Sequence, residues 1–257
     1  MRPFALALLI FLPVLGCDEA TGPLAEKPAR VLESAAGISE ATGDPEVVDL
    51  LLDATEGSPG DMRNLSAQLD AILPVLARRS GVCRLWLLRD SVESTVIVST
   101  VSFPRSQSTN THVQERERTA NVAASREQLL RAVQAGGGTP RRSPLFAALT
   151  RIGMTSSPFR LRTIVLVSDL REEGIASWEC GPIDVDGVTK SLDRERLLLP
   201  NSLRGISIVA AFFDIAPAPK CHDTVARHLE LRDAWQQLAT RAGARITFTT
   251  GPYGGEE

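Results

Sequence analysis

The sequence has few cysteines and histidines and lacks several signatures of known chemistry. Its 257 residues include four Cys and three His, and none of these form a Cys-x-x-Cys pair or a Cys/His cluster at zinc spacing. It contains neither a Gly-x-Ser-x-Gly elbow nor a Walker phosphate loop. The net charge of −3 lacks the basic excess that general nucleic-acid binding needs. These absences count against zinc enzymes, elbow-type hydrolases and P-loop nucleotidases, and we expect no nucleic-acid partner.

The first 17 residues have the pattern of an export signal. One arginine precedes an apolar run that is shorter than the ~20 residues a membrane-spanning helix needs. The run ends in Val14–Cys17, which resembles the lipobox of bacterial lipoproteins, whose cysteine is lipidated and becomes the new N-terminus. We therefore expect a signal peptide over residues 1–16 and membrane contact only through a lipid anchor on Cys17. The alternative is an ordinary cleaved signal in which Cys17 has no role.

Composition divides the rest of the chain into a tether, a domain and a tail. Residues 17–45 are rich in Ala, Glu, Gly, Pro and Ser, which is typical of a flexible tether. Residues 46–250 contain the long apolar segments of one domain, and the Gly-rich residues 251–257 form a tail. With the lipobox, this arrangement predicts a bacterial cell-envelope protein whose domain faces the periplasm or the exterior.

Between residues 46 and 250, apolar segments of strand length alternate with segments of helical periodicity. Six strands are expected, at Val47–Asp53, Val82–Arg89, Thr95–Phe103, Leu161–Asp169, Gly205–Phe213 and Ala244–Thr249. Helices are expected after Asp61, at 120–135, at 143–152 and at 223–242, whereas 104–119 and 171–204 are expected to be irregular. Alternation indicates parallel pairing, and the short link between the second and third strands makes that pair antiparallel. The sequence thus predicts an α/β, Rossmann-like doubly wound, mostly parallel six-stranded sheet with one antiparallel edge strand and helices on both faces.

Two of the predicted strands end in an acid accompanied by a hydroxyl. The first strand ends at Asp53, with Thr55 two residues later, and the fourth ends in Ser168-Asp169. Open α/β sheets bind their ligands at the carboxyl ends of strands, where the strand order reverses. We expect the first and fourth strands to be neighbours, so that their terminal side chains meet.

This order of elements, with these motifs, resembles a von Willebrand factor A domain over about residues 46–250. Such domains carry a metal-ion-dependent adhesion site: Asp-x-Ser-x-Ser after the first strand, a Thr before a middle helix, and an Asp after the fourth strand. Asp53-Ala54-Thr55 matches the first two positions, and the segment from Ser143 to Leu149 resembles the Thr-Pro-Leu…Ala-Leu element. Ser168-Asp169 resembles the Thr-Asp-Gly element, with Leu170 in place of the Gly.

The resemblance implies a metal site and a binding function. Its ligands would be Asp53, Thr55, Ser143 and Asp169, and the third motif position falls on Gly57, with Ser58 one residue later and Thr139 as a second hydroxyl candidate. Such oxygen donors suit Mg²⁺, Mn²⁺ or Ca²⁺. An open coordination position would take an acidic side chain of another protein, so the domain would be a protein-binding or assembly module without catalytic residues.

Two alternatives stay open at the level of sequence. In the first, Asp53 and Asp169 merely stabilise turns, Thr55 and Ser143 cap helices, and the domain is a metal-free scaffold. In the second, Asp53 at the end of the first strand is the nucleophile of a phosphatase-type hydrolase resembling the haloacid dehalogenases. Those enzymes expect a second Asp where this chain has Thr55.

Apart from Cys17, three cysteines remain, and an exported protein can form disulfides. Cys180 and Cys221 follow the fourth and fifth strands, which should neighbour each other at one edge of the domain, and we predict a disulfide between them. Cys83 begins the second strand at the opposite edge and is expected to be a buried free thiol.

Overall fold

The central feature of the molecule is one six-stranded sheet, seen in a computed structural model that describes residues 45–55, 58, 60–90, 95–136, 141–157, 159–176, 178, 181–213 and 225–254. Its strands are β1 Glu46–Leu52, β2 Val82–Leu87, β3 Val96–Ser102, β4 Leu161–Val167, β5 Ser207–Ala211 and β6 Arg245–Phe248. They lie in the order β3-β2-β1-β4-β5-β6. All neighbours are parallel except β2 and β3. The predicted mostly parallel sheet with one antiparallel edge strand is confirmed.

Five helices flank the sheet in the described part of the chain: α1 Met62–Arg79, α2 Thr111–Gly136, α3 Leu145–Met154, α4 Val185–Glu195 and α5 Val225–Arg241. Helices α1 and α2 share one hydrophobic cluster with one face of the sheet, and α3, α4 and α5 share another with the opposite face. This confirms the prediction of helices on both faces. None of these helices combines the length and apolarity needed to cross a membrane.

The spacing of apolar residues in the sequence did not predict two of the helical segments. Helix α2 begins at Thr111, inside a stretch predicted to be a loop. The Asn110 side chain caps it by accepting hydrogen bonds from backbone amides of the first turn. Only Leu129 of this helix is buried, so the helix leaves no clear apolar periodicity in the sequence. Helix α4 lies within the stretch predicted to be irregular. The Asp184 side chain caps it by accepting a hydrogen bond from the Gly187 amide at 2.9 Å. Only Val188 and Leu192 of this mostly polar helix are buried, which is too few to give a clear apolar periodicity.

Alternation along β1 decides which side of the sheet holds the expected site. Val48, Leu50 and Leu52 pack with α1 and α2, whereas Leu51 packs with α3. Because successive strand side chains point to opposite faces, Asp53 follows Leu51 to the α3 side. Leu166 of β4 belongs to the same cluster as Leu51, so Ser168 also follows it to that side.

A buried ion network at the other end of that face fixes α3 against the sheet. The fully buried Asp49 carboxylate accepts two hydrogen bonds from Arg84, at 2.7 and 2.8 Å, one from Trp86 Nε1 at 2.8 Å and one from Arg162 Nε at 2.7 Å. Arg162 also donates to the carbonyl of Ile152 at 2.5 Å. The network therefore ties the last turn of α3 to β1, β2 and β4.

Cys83 is buried and forms no disulfide, as expected. Burial raises the pKa of its thiol to about 12, so the group stays protonated and unreactive at neutral pH. Cys17, Cys180, Cys221, the signal segment and the tether lie outside the described residues, so the anchor and the disulfide stay predictions.

Replacing Asp49 by Ala should lower the free energy of unfolding by about 3–5 kcal/mol, because two buried arginines lose their carboxylate. Glu195→Gln is the control, since its exposed pair with Arg194 should contribute less than about 1 kcal/mol. Urea denaturation of the two variants measures both effects. Equal, small losses would show that the network does not hold the fold together.

Candidate functional site

The candidate site lies where the strand order reverses. β1 pairs with β2 on one side and β4 on the other, and Leu52 is in register with Val167 at the carboxyl ends. One further hydrogen bond, from the Asp53 amide to the Val167 carbonyl at 3.1 Å, carries the pairing past the strand end. The predicted neighbourhood of the first and fourth strands is confirmed, and their terminal side chains lie at the crevice that such sheets use for ligands.

Asp53 is the centre of the site. It is fully buried, and its Oδ1 accepts hydrogen bonds from the Thr55 amide at 3.1 Å, the Thr55 hydroxyl at 2.7 Å and the Ser143 hydroxyl at 3.1 Å. Its Oδ2 accepts one from the Ser168 hydroxyl at 2.7 Å. The structure thus joins three of the four residues predicted from the sequence and adds Ser168.

Three oxygens of this cluster form a nearly equilateral triangle. Its edges are 2.7 Å from Asp53 Oδ1 to Thr55 Oγ1, 2.9 Å from Thr55 Oγ1 to Ser143 Oγ, and 3.1 Å from Ser143 Oγ back to Asp53 Oδ1. The two hydroxyls carry only two protons, so full hydrogen bonds account for at most two edges. On one edge, therefore, two oxygens lie close together with no proton between them.

That triangle has the size of one face of an octahedral metal shell. Ligands of Mg²⁺ at about 2.1 Å lie about 3.0 Å from their nearest neighbours in an octahedron. A cation facing the three oxygens would bind lone pairs that the hydroxyl protons do not use. It would also offset the repulsion along the edge that has no proton.

Asp169, the fourth predicted residue, has no described hydrogen bond to this triangle and is linked to it only through charge repulsion with Asp53. Its side chain is 28% exposed, and its carboxylate accepts a hydrogen bond from the Arg171 amide at 3.1 Å and pairs with Arg171 Nε at 3.2 Å. Burial and, after it, the negative charge of Asp53 raise the pKa of Asp169 to about 7. The site thus carries two carboxylates that repel each other.

The remaining candidates from the sequence do not join the cluster. Ser58 Oγ accepts a long hydrogen bond from the Gly60 amide at 3.4 Å. Gly57 and Thr139 lie outside the described residues. Gly60 itself is needed for the loop to pass the site, because a Cβ there would lie 1.6 Å from the Asp53 carbonyl oxygen.

Ser143 is held in place by a residue that sequence reasoning missed. The first turn of α3 has no side-chain cap at Pro144, and the buried Glu172 supplies one from the loop after β4 by accepting the Phe146 amide at 2.9 Å. The Glu173 amide also donates to the Ser143 carbonyl at 3.1 Å. Burial raises the pKa of Glu172 to about 7, although the backbone amides that donate hydrogen bonds to it lower the pKa.

Of Ser168 and Glu172, only Ser168 carried a signal in the sequence. Ser168 was noted in the strand-end motif but was not chosen as a ligand, although strand alternation alone places it on the Asp53 side of the sheet. Nothing near Glu172 in the sequence reveals its role as a cap, because the Phe146 amide that it caps lies 26 residues earlier in the chain. Among the described residues, no three Asp, Glu, His or Cys side chains gather as a metal centre, and the donors here are two carboxylates and several hydroxyls.

Asp169→Asn should change how stability depends on pH in metal-free protein. The folded state holds the Asp169 proton more tightly than the unfolded chain, so its contribution is complete below about pH 4 and lost as pH rises through about 7. Near pH 8 the variant should therefore be more stable than the wild type by about 1–3 kcal/mol. Near pH 4 the two should agree. Urea denaturation with chelator across this range tests it, and parallel curves for the two proteins would contradict it.

No model of a known protein family matches this chain, and no curated protein sequence matches it either.

Proposed function

We propose that this protein is a lipid-anchored component of the bacterial cell envelope whose domain binds another protein through a divalent cation. The observation that carries the proposal is the triangle of Asp53, Thr55 and Ser143 oxygens, which has three edges and only two hydroxyl protons. Mg²⁺, Mn²⁺ and Ca²⁺ are the cations that such oxygen donors suit.

The resemblance to a von Willebrand factor A domain supports the same function. The sheet order, and the meeting of segments 53–55 and 143 at the β1–β4 crevice, are what that resemblance implies. Leu170 stands where such domains usually have Gly, and its φ of 62° lies in the left-handed region that favours Gly. The backbone at Leu170 thus has the shape that the motif needs, and burial of the leucine side chain offsets the strain.

Each residue has a distinct part in the proposed site. Asp53, Thr55 and Ser143 supply three oxygens on one side of the cation, and Ser168 holds the second oxygen of Asp53 in place through its 2.7 Å hydrogen bond. Asp169 supplies a second negative charge. A bound cation would leave positions for water or for the carboxylate of a partner's Asp or Glu.

A metal-free interaction module is the second candidate. The observation that favours it is that Asp53 already accepts four hydrogen bonds, which stabilise the buried carboxylate without a cation. The same bonds weaken the phosphatase alternative, because a carboxylate bound by four donors is a poor nucleophile. Thr55 also occupies the place of the second acid that such a hydrolase needs.

Calorimetric titration of the full chain with Mg²⁺, Mn²⁺ and Ca²⁺ tests the metal site. The wild type should bind at least one of these ions. Asp53→Ala and Asp169→Ala should each lose more affinity than Thr55→Ala, because only a carboxylate takes away charge. Ser58→Ala is the matched control and should bind like the wild type, since Ser58 lies outside the triangle.

Absence of wild-type binding near millimolar concentration would leave the metal-free module as the function. Affinity capture from envelope extracts, with and without chelator, then separates the two candidates at the level of the partner. Capture that chelator and Asp53→Ala both abolish supports the cation, whereas capture unaffected by either supports the metal-free module.

The anchor has a separate test. Wild-type protein should fractionate with membranes and yield an acylated peptide that begins at Cys17, because the apolar run ends in Gly16-Cys17. Cys17→Ala should remain uncleaved or become soluble. A mature N-terminus at any other residue would contradict the anchor and leave the metal site untouched.

A further inference from the structure

The amino-terminal edge of the sheet, opposite the Asp53 cluster, is strongly basic. Here β1, β2, β4, β5 and β6 begin, and β3, α1, α3, α4 and α5 end. Five exposed arginines lie at or near these ends of strands and helices and have no carboxylate partner among the described residues: Arg78, Arg105, Arg160, Arg196 and Arg204. We call this surface the basic edge.

The acidic residues of the basic edge do not balance these arginines. Glu46 pairs with Arg79 at 3.1 Å, and Glu195 pairs with Arg194 at 3.2 Å. Asp193 pairs with Arg241. Each of these three carboxylates is thus already matched by an arginine of its own. The five exposed arginines give the surface a net positive charge in a chain whose overall charge is −3.

Large apolar side chains are exposed among the arginines. Met154, the last residue of α3, is 82% exposed, the highest value among the exposed large apolar residues of the described chain. Leu161 at the start of β4 and Leu199 before β5 are also exposed, at 47% and 38%. Exposed apolar groups surrounded by basic residues match a membrane surface, where apolar tips enter the lipid and cations meet the phosphates.

We propose that the basic edge docks on an anionic phospholipid surface. The course of the chain supports this occupant, because the polypeptide enters β1 at Glu46 on this edge and only 28 residues, 18–45, separate Cys17 from Glu46. Even fully extended, these residues keep the edge within about 100 Å of a lipid on Cys17. Docking would turn the opposite edge, with the Asp53 cluster, away from the membrane and toward a partner.

The segment 18–45 is the main rival occupant. It contains six acidic and two basic residues, a net charge of −4, and it joins the domain at the same edge. The exposed Met154 and Leu161 suit a lipid surface, which takes up both charge and apolar groups, and the exchange experiment below separates the two occupants. The docking departs from the expectation that the membrane is contacted only through the lipid anchor, and it does not require Cys17 to be lipidated.

Hydrogen exchange tests the docking. The full chain is made by cell-free synthesis, so that Cys17 is unmodified. Vesicles of phosphatidylcholine containing phosphatidylglycerol should slow amide exchange several-fold in residues 155–157 and 196–206, and pure phosphatidylcholine should not. The combined substitution Arg78→Gln, Arg160→Gln and Arg204→Gln should weaken docking about a hundred-fold, since each basic residue near such a surface contributes a factor of about five. High salt should abolish the protection.

The matched control substitutes Arg63, Arg141 and Arg142 by Gln, which removes the same charge from exposed positions at the opposite edge. It should keep the protection. Equal exchange with both kinds of vesicle, or equal loss in the two triple variants, would overturn the proposal. Protection without vesicles that disappears when the acidic residues of 18–45 are neutralised would show that this segment occupies the basic edge instead.

Discussion

A buried carboxylate has to find hydrogen-bond donors, and the way Asp53 does so determines the arrangement of the site. Its donors come from three segments: the loop after β1, the start of α3 and the end of β4. Only a sheet in which β1 and β4 are neighbours brings these segments together. An unpaired Asp53 would cost several kcal/mol. The same requirement that stabilises the fold therefore gathers hydroxyl oxygens around one charge.

Helix α3 connects this site to the rest of the core, because charged side chains hold it at both ends. Glu172 accepts amides of its first turn, and Arg162, which is bound to Asp49, donates to carbonyls of its last turn. Such charge-assisted bonds complement the helix dipole at both termini. The position of Ser143 thus depends on ion pairs formed at the opposite edge of the sheet. The molecule then has two different edges: one holds the Asp53 cluster, and the other is the basic edge with its five arginines.

The sheet could be predicted from the sequence because its strands are long apolar runs, and a buried parallel sheet requires such runs. Asp53 and Ser143 could be predicted because strand ends and helix starts carry local signals. The part of α2 before residue 120 and the whole of α4 could not, since α2 buries only one side chain and α4 only two. Glu172 was beyond prediction because a cap supplied from a distant loop leaves no pattern around the helix that it caps. The basic edge is equally nonlocal, since its arginines come from separate segments and meet only when the strands align.

The central claim is that the Asp53, Thr55 and Ser143 oxygens form one face of a cation site. Crystals of the protein grown with Mn²⁺ and measured for anomalous scattering test it most directly. The account predicts a single peak about 2.0–2.3 Å from each of the three oxygens, with Asp169 on the same side and the remaining positions filled by water or a neighbouring carboxylate. A fully ordered triangle with no anomalous peak over it, at Mn²⁺ concentrations well above millimolar, would contradict the claim.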